Sequence, residues 1–118
     1  MQNTDIQNHL DLVVLQELHD VLGTEFPVLV TTFVADSEAR IAAIHAAQVA
    51  GDAEALRDVA HSFRGSCLNI GAHRVAAACR TLESFSRAGD AAAVARQIPL
   101  LESACQAACA HLIGWVAR

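Results

Sequence analysis

Apolar residues recur along most of this chain at spacings of three and four, the period of a helix that lays one face against a core. The clearest case is Leu56, Val59, Ala60, Phe63, Cys67 and Ile70, which form one stripe on a helix predicted over residues 53–70. A preceding helix over about 25–50 turns Phe26, Leu29, Val30, Phe33, Ile41 and Ile44 inward, and a following one over about 72–88 buries Val75, Ala76, Cys79 and Leu82. A last helix over about 90–116 contains Pro99, which removes a backbone hydrogen bond and predicts a kink or local break near residues 95–99. Ahead of these lies a short helix over about 10–22 with Leu15, Leu18 and Leu22 as its stripe and Leu12 left for another surface.

Glycines and caps punctuate this pattern. Gly23, Gly51, Gly71 and Gly89 fall where stripes end, and glycine permits the left-handed residue that closes a helix. Thr24, Asp52 and Asp90 follow as N-cap candidates, with Pro27 suited to a first turn. Residues 1–8 are polar and are expected to fray. Connections this short turn each helix back on the one before. The expected fold is therefore all-α, an antiparallel up-down four-helix bundle with a short additional N-terminal helix, in a single domain over residues 1–118.

Composition narrows the class. A 53% hydrophobic content with 2 prolines and 6 glycines is that of a packed chain. The net charge of −5 leaves no electrostatic footprint for nucleic acid or an anionic membrane surface. No run approaches the roughly 20 apolar residues of a membrane span, and the start of the chain lacks the layout of a signal peptide. The expected location is cytoplasmic and the expected partner is protein. Cys67, Cys79, Cys105 and Cys109 all sit in apolar helical patterns and read as reduced, small core residues. Cys105 and Cys109 lie one turn apart, but His111 faces another side of that helix and no second ligand pair is evident, so no metal site is expected.

Of the six histidines, His9, His19, His45, His73 and His111 have no supporting constellation and read as structural. His61 differs. It lies roughly 150° around the helix from the centre of the apolar stripe and therefore points to solvent. Arg57 stands one turn before it, and Arg64 and Gly65 one turn after, on the same outer face. A mid-helix glycine costs about 1 kcal/mol relative to alanine, so Gly65 calls for a reason other than helix stability. Leaving room for a partner beside the imidazole is such a reason. Leu68, a further turn along, is apolar yet outside the stripe, and suits a docking surface. An imidazole nitrogen is a nucleophile at neutral pH. No glycine-rich phosphate loop or kinase signature accompanies it, so the chain has no visible means of binding ATP.

The run His61-Ser62-Phe63-Arg64-Gly65-Ser66-Cys67, continued by Asn69-Ile70-Gly71-Ala72 and then Val75, Cys79, Leu82 and Glu83, resembles the histidine-containing phosphotransfer (HPt) domains of multistep phosphorelays. Arg64 stands where that family more often has lysine, which keeps the charge and offers a forked donor to phosphate oxygens.

The resemblance implies a phosphorelay intermediate in two-component signal transduction. His61 would accept a phosphoryl group from a receiver-domain aspartyl phosphate and pass it to another receiver aspartate. Arg64 would stabilise phosphate, while Arg57, Gly65 and Leu68 would contribute to docking. The partner would be the receiver domain of a response regulator or hybrid sensor kinase, carrying the Mg²⁺; this chain would bind no cofactor and show no autonomous kinase activity. A monomer is expected, either free or as the cytosolic module of a membrane-anchored sensor kinase. The competing reading is a protein-binding or scaffolding helical module of a hybrid sensor kinase in which phosphotransfer is not the main role. A metal-binding bundle is disfavoured by ligand spacing.

Overall fold

The computed structural model describes residues 2–117, which fold as six α-helices and one 3₁₀ turn: α1 Gln2–His9, α2 Leu12–Leu22, the turn Gly23–Glu25, α3 Phe26–Ala50, α4 Ala53–Ile70, α5 His73–Arg87 and α6 Ala91–Val116. The last four make the antiparallel bundle. Each packs on its neighbour in sequence, and α6 closes the ring against α3. Phe26, Phe63, Ile44, Leu56, Leu82, Leu101 and Leu112 fill the interior, all nearly or wholly removed from water. The expected stripe of α4 is buried except for Val59, which is half-buried at its margin.

Three glycine corners set the connections. At Gly51, Gly71 and Gly89 the φ angle is +67°, +80° and +70°. In each case the following residue donates its N–H to the carbonyl five positions back: Asp52 to Ala47 at 3.0 Å, Ala72 to Cys67 at 2.8 Å and Asp90 to Phe85 at 3.1 Å. This closure satisfies carbonyls that a helix end leaves orphaned. Asp52 and Asp90 then cap the next helix, accepting from the N–H of Ala55 and Ala93 at 3.0 Å.

The amino-terminal part departs from expectation. Residues 2–9 form α1 where a frayed polar tail was expected, and a break at Leu10-Asp11 separates it from α2; Met1 lies outside the described residues. Ile6, half-buried against the core, and Leu10, 1% exposed, anchor it. Its polar groups find partners on the bundle: His73 Nε2 donates to the Gln7 main-chain carbonyl at 3.0 Å, and His111 Nε2 lies 3.0 Å from Asp5 Oδ2. The bundle thus carries two short N-terminal helices where one was expected.

Thr24 does not cap α3. It lies within the 3₁₀ turn, and the position before α3 is Glu25, whose side chain makes no capping bond. Gly23 does have a positive φ of 53°, but its ψ of −119° is not the left-handed helical value expected for it. Leu12 is half-buried against the main core instead of serving another surface. At Pro99, α6 continues without a break. Pro99 and Ala95 both face outward, where water can take the carbonyl that the proline leaves unbonded.

The α4–α5 corner also holds α2. Asp11 N–H donates to the Gly71 carbonyl at 2.7 Å, and Asp11 Oδ1 in turn accepts from the N–H groups of Val13 and Val14, starting α2. A Cβ on Gly71 would stand 3.2 Å from both the Asp11 carbonyl oxygen and Val14 Cβ, whereas one on Gly51 would meet nothing within 4 Å. Gly51→Ala should therefore cost about 1–2 kcal/mol, the backbone penalty of a left-handed residue alone. Gly71→Ala should cost clearly more, because α2 must also shift. Urea denaturation of the two variants checks this, and equal losses would show that α2 does not constrain the corner.

Candidate functional site

His61 occupies the middle of α4 on the face opposite the buried stripe, with 64% of its side chain exposed. The helix period alone puts it there. Its ring orientation comes from elsewhere. Nδ1 lies 2.9 Å from Oε2 of Glu83 on α5, a carboxylate only 10% exposed. An ionised carboxylate only accepts hydrogen bonds, so the contact requires a proton on Nδ1, and in the neutral ring that leaves the lone pair on Nε2. The imidazole is thus anchored at one nitrogen and open at the other.

Two arginines also share Glu83. Arg64 NH1 approaches Oε1 at 3.6 Å, and Arg87, one turn after Glu83 on α5, approaches Oε2 at 3.6 Å. Arg64 also comes within 3.5 Å of His61 Nδ1. With Nδ1 donating to Glu83, that approach is proximity around a common carboxylate and not a second hydrogen bond. The positive charge expected beside His61 is therefore present and turned toward Glu83.

The remaining expected site residues lie on the same face. Gly65 sits in regular helix with a negative φ, and a Cβ there would meet nothing within 4 Å, so the space beside His61 is open. Leu68 is 56% exposed. Arg57 is half-buried, one turn before His61, and makes no ion pair among the described residues.

Two contributors were not singled out from the sequence for these roles. Glu83 was noted only as part of a motif, and its signal was a charged residue on the core side of the α5 stripe, one position after Leu82. Arg40 of α3 was missed. Its guanidinium donates to Ser62 Oγ at 2.6 Å, to Ser66 Oγ at 3.3 Å and to Asp36 at 2.9 Å, and lies 5.9 Å over the Phe63 ring. It braces α4 from the side away from Glu83.

The cysteines are free, three of them buried and Cys109 half-buried. Hydrogen bonding to Cys79, reinforced by burial, pushes the Cys67 thiol up, and Cys105 is raised in the same way beside Cys109. Cys109 accepts from Cys105 and is lowered to about 7. His111 joins neither thiol. It faces Asp5 and His9 instead, the one group of three metal-competent side chains among the described residues.

The Hpt domain family model matches residues 28–111. Among solved structures, histidine-containing phosphotransfer protein B (HptB) from Pseudomonas aeruginosa PAO1 is 42% identical, with a TM-score of 0.87 over 90% of this chain and 92% of that one. A rice protein assigned to the histidine-containing phosphotransfer proteins is 19% identical with a TM-score of 0.66, covering 93% of this chain and 87% of that one, a likeness of fold. No curated protein sequence matches the chain.

The anchoring of His61 gives an expected tautomer. In ¹⁵N-detected imidazole spectra at a pH where the ring is neutral, His61 should carry its proton on Nδ1, opposite to the usual preference of free histidine for Nε2–H. Glu83→Ala should shift it toward the Nε2–H form. An unchanged tautomer in that variant would mean that Glu83 does not orient the ring.

Proposed function

The chain belongs to the Hpt domain family and performs histidine phosphotransfer in a two-component phosphorelay, and from that premise we propose that His61 Nε2 is the atom that carries the phosphoryl group. The observation that supports this most directly is an exposed imidazole whose other nitrogen is held by a buried carboxylate. A receiver domain presents an aspartyl phosphate in line with Nε2. The nitrogen lone pair forms the N–P bond as the bond from phosphorus to the aspartyl oxygen breaks, and the aspartate leaves as a carboxylate. The ring becomes positively charged as it is phosphorylated, and Glu83 stabilises that charge through Nδ1–H. Attack by a second receiver's aspartate reverses each bond change. The receiver supplies the Mg²⁺, and transfer at His61 draws on no cofactor held by this domain.

Arg64 stabilises the phosphoryl oxygens. To do so it turns from Glu83 toward Nε2, and Arg87 remains at 3.6 Å to keep the buried carboxylate from losing its cations. Gly65 leaves the approach open, and Leu68 and Arg57 flank it as docking contacts. The domain works as a monomer in the cytoplasm.

With a phosphorylated receiver as donor, His61→Gln should fold, losing at most about 1–3 kcal/mol where its amide does not replace the imidazole as donor to the buried Glu83, and accept no phosphoryl group. Acid-labile phosphate on that variant would place the acceptor elsewhere. Arg64→Ala should slow transfer by about ten- to a hundredfold, the loss of one charge-assisted contact, without abolishing it. A transfer rate and phosphohistidine lifetime equal to the parent's would make Arg64 a surface charge only.

Gly65 separates stability from transfer. Gly65→Ala should raise helix stability by up to about 1 kcal/mol, since its dihedrals are ordinary and its surroundings open. Transfer should fall in Gly65→Ala and further in Gly65→Gln, as the side chain grows into the receiver's approach. Thermal melts beside phosphotransfer time courses measure both, and undiminished transfer in both variants defeats the access argument.

A further inference from the structure

The N-terminal helix meets the end of α6 through three side chains that the chemistry at His61 does not use. Asp5 and His9 stand one turn apart on α1 and share a face, and His111 reaches them from α6. One donor atom from each, a carboxylate oxygen and two ring nitrogens, lies within 4.8 Å of the others. His111 Nε2 and Asp5 Oδ2 are 3.0 Å apart, and the two imidazole centroids are 5.4 Å apart with a tilt of 32°. Metal–ligand bonds of about 2.0–2.2 Å in a tetrahedron put neighbouring ligand atoms about 3.3–3.6 Å apart, so the cluster needs an inward adjustment of at most about 1.5 Å.

His9 supplies an independent sign. Its Nδ1 is buried and has no hydrogen-bond partner. A polar atom left in that condition costs free energy that a bound group would recover, and an imidazole nitrogen not held by a hydrogen bond can swing into coordination. We propose that Asp5, His9 and His111 form a binding site for a divalent transition-metal ion of the zinc type, which clips α1 to α6. Two imidazoles with one carboxylate suit zinc or its first-row neighbours, and not Mg²⁺ or Ca²⁺, which need six or more oxygen ligands. Three protein ligands leave a coordination position for water. Arg74 acts electrostatically on His9 and opposes the ion, so the site binds more weakly than a closed four-ligand centre.

The test uses the untagged 118-residue chain, dialysed free of metal and titrated with Zn²⁺ and separately with Mg²⁺. One equivalent of Zn²⁺ should bind and raise the melting temperature, while Mg²⁺ should do neither. His9→Ala and His111→Ala should each weaken Zn²⁺ binding at least tenfold and remove the thermal shift, with helical circular dichroism retained in metal-free buffer. Asp5→Asn, an exposed substitution, should also weaken binding and stands in for any histidine variant that loses its fold. Co²⁺ substitution should give d–d bands with no thiolate charge-transfer band. No Zn²⁺ binding, binding unchanged in these variants, or a strong thiolate band pointing to Cys105 and Cys109 would each overturn the proposal.

Discussion

A carboxylate buried in a helical bundle must find donors, and Glu83 finds them on the face of α4 that carries His61. The pairing depends on register. His61 lies ten residues before Gly71 and Glu83 eleven residues after Ala72, so at 1.5 Å per residue both stand about 15–17 Å from the corner. Two antiparallel helices leaving one tight turn therefore bring the two residues to the same height. A corner one residue longer would slide the carboxylate past the imidazole. This is why the closure at Gly71, with Ala72 wholly buried behind it, governs chemistry several turns away.

Lateral position matters as much as height. Small buried residues, Ala60 and Cys67 on α4 and Ala76 and Cys79 on α5, let the two helices approach closely enough for a short side chain to span them at 2.9 Å. Arg40 holds the opposite flank of α4 through Ser62 and Ser66, on either side of the buried Phe63. The helix is thus fixed on both sides. What remains free is one edge of an imidazole, beside a glycine. Most of the bundle serves to immobilise that edge, because catalysis by positioning tolerates little looseness.

The sequence made one kind of information legible and hid another. The stripe Leu56 to Ile70 is local and periodic, so the burial of one face and the exposure of His61 followed from spacing alone. The glycine and aspartate punctuation at Gly51-Asp52 and Gly89-Asp90 is likewise local, and it behaves as read. The partners of His61 are tertiary. Nothing within a helical turn of Glu83 or Arg40 says which neighbouring helix each will face, and Arg40 carries no motif at all. The amino-terminal helix was missed for a related reason: its apolar content is Ile6 and Leu10, too little for a periodic pattern, and its anchoring through Gln7 to His73 and through Asp5 to His111 exists only once the bundle has formed. Pro99 was expected to kink or break the last helix near residues 95–99, but an outward-facing proline on a long helix packed along its other side does not stop it.

The same division explains why α1 and α2 matter although the family match begins only at residue 28. They contribute no group to the proposed phosphoryl site. Among their contacts with the bundle, one is made at Gly71, where the Asp11 N–H donates to the carbonyl of the glycine that closes α4. A left-handed glycine at a solvent-exposed corner has several conformations of similar energy open to it. One whose carbonyl is bonded and beside which Asp11 and Val14 leave no room for a side chain has far fewer. Because the heights of His61 and Glu83 are both measured from that corner, fixing it reduces their relative motion. The N-terminal helices thus act on the site by stiffening the origin from which its geometry is set, without touching the imidazole.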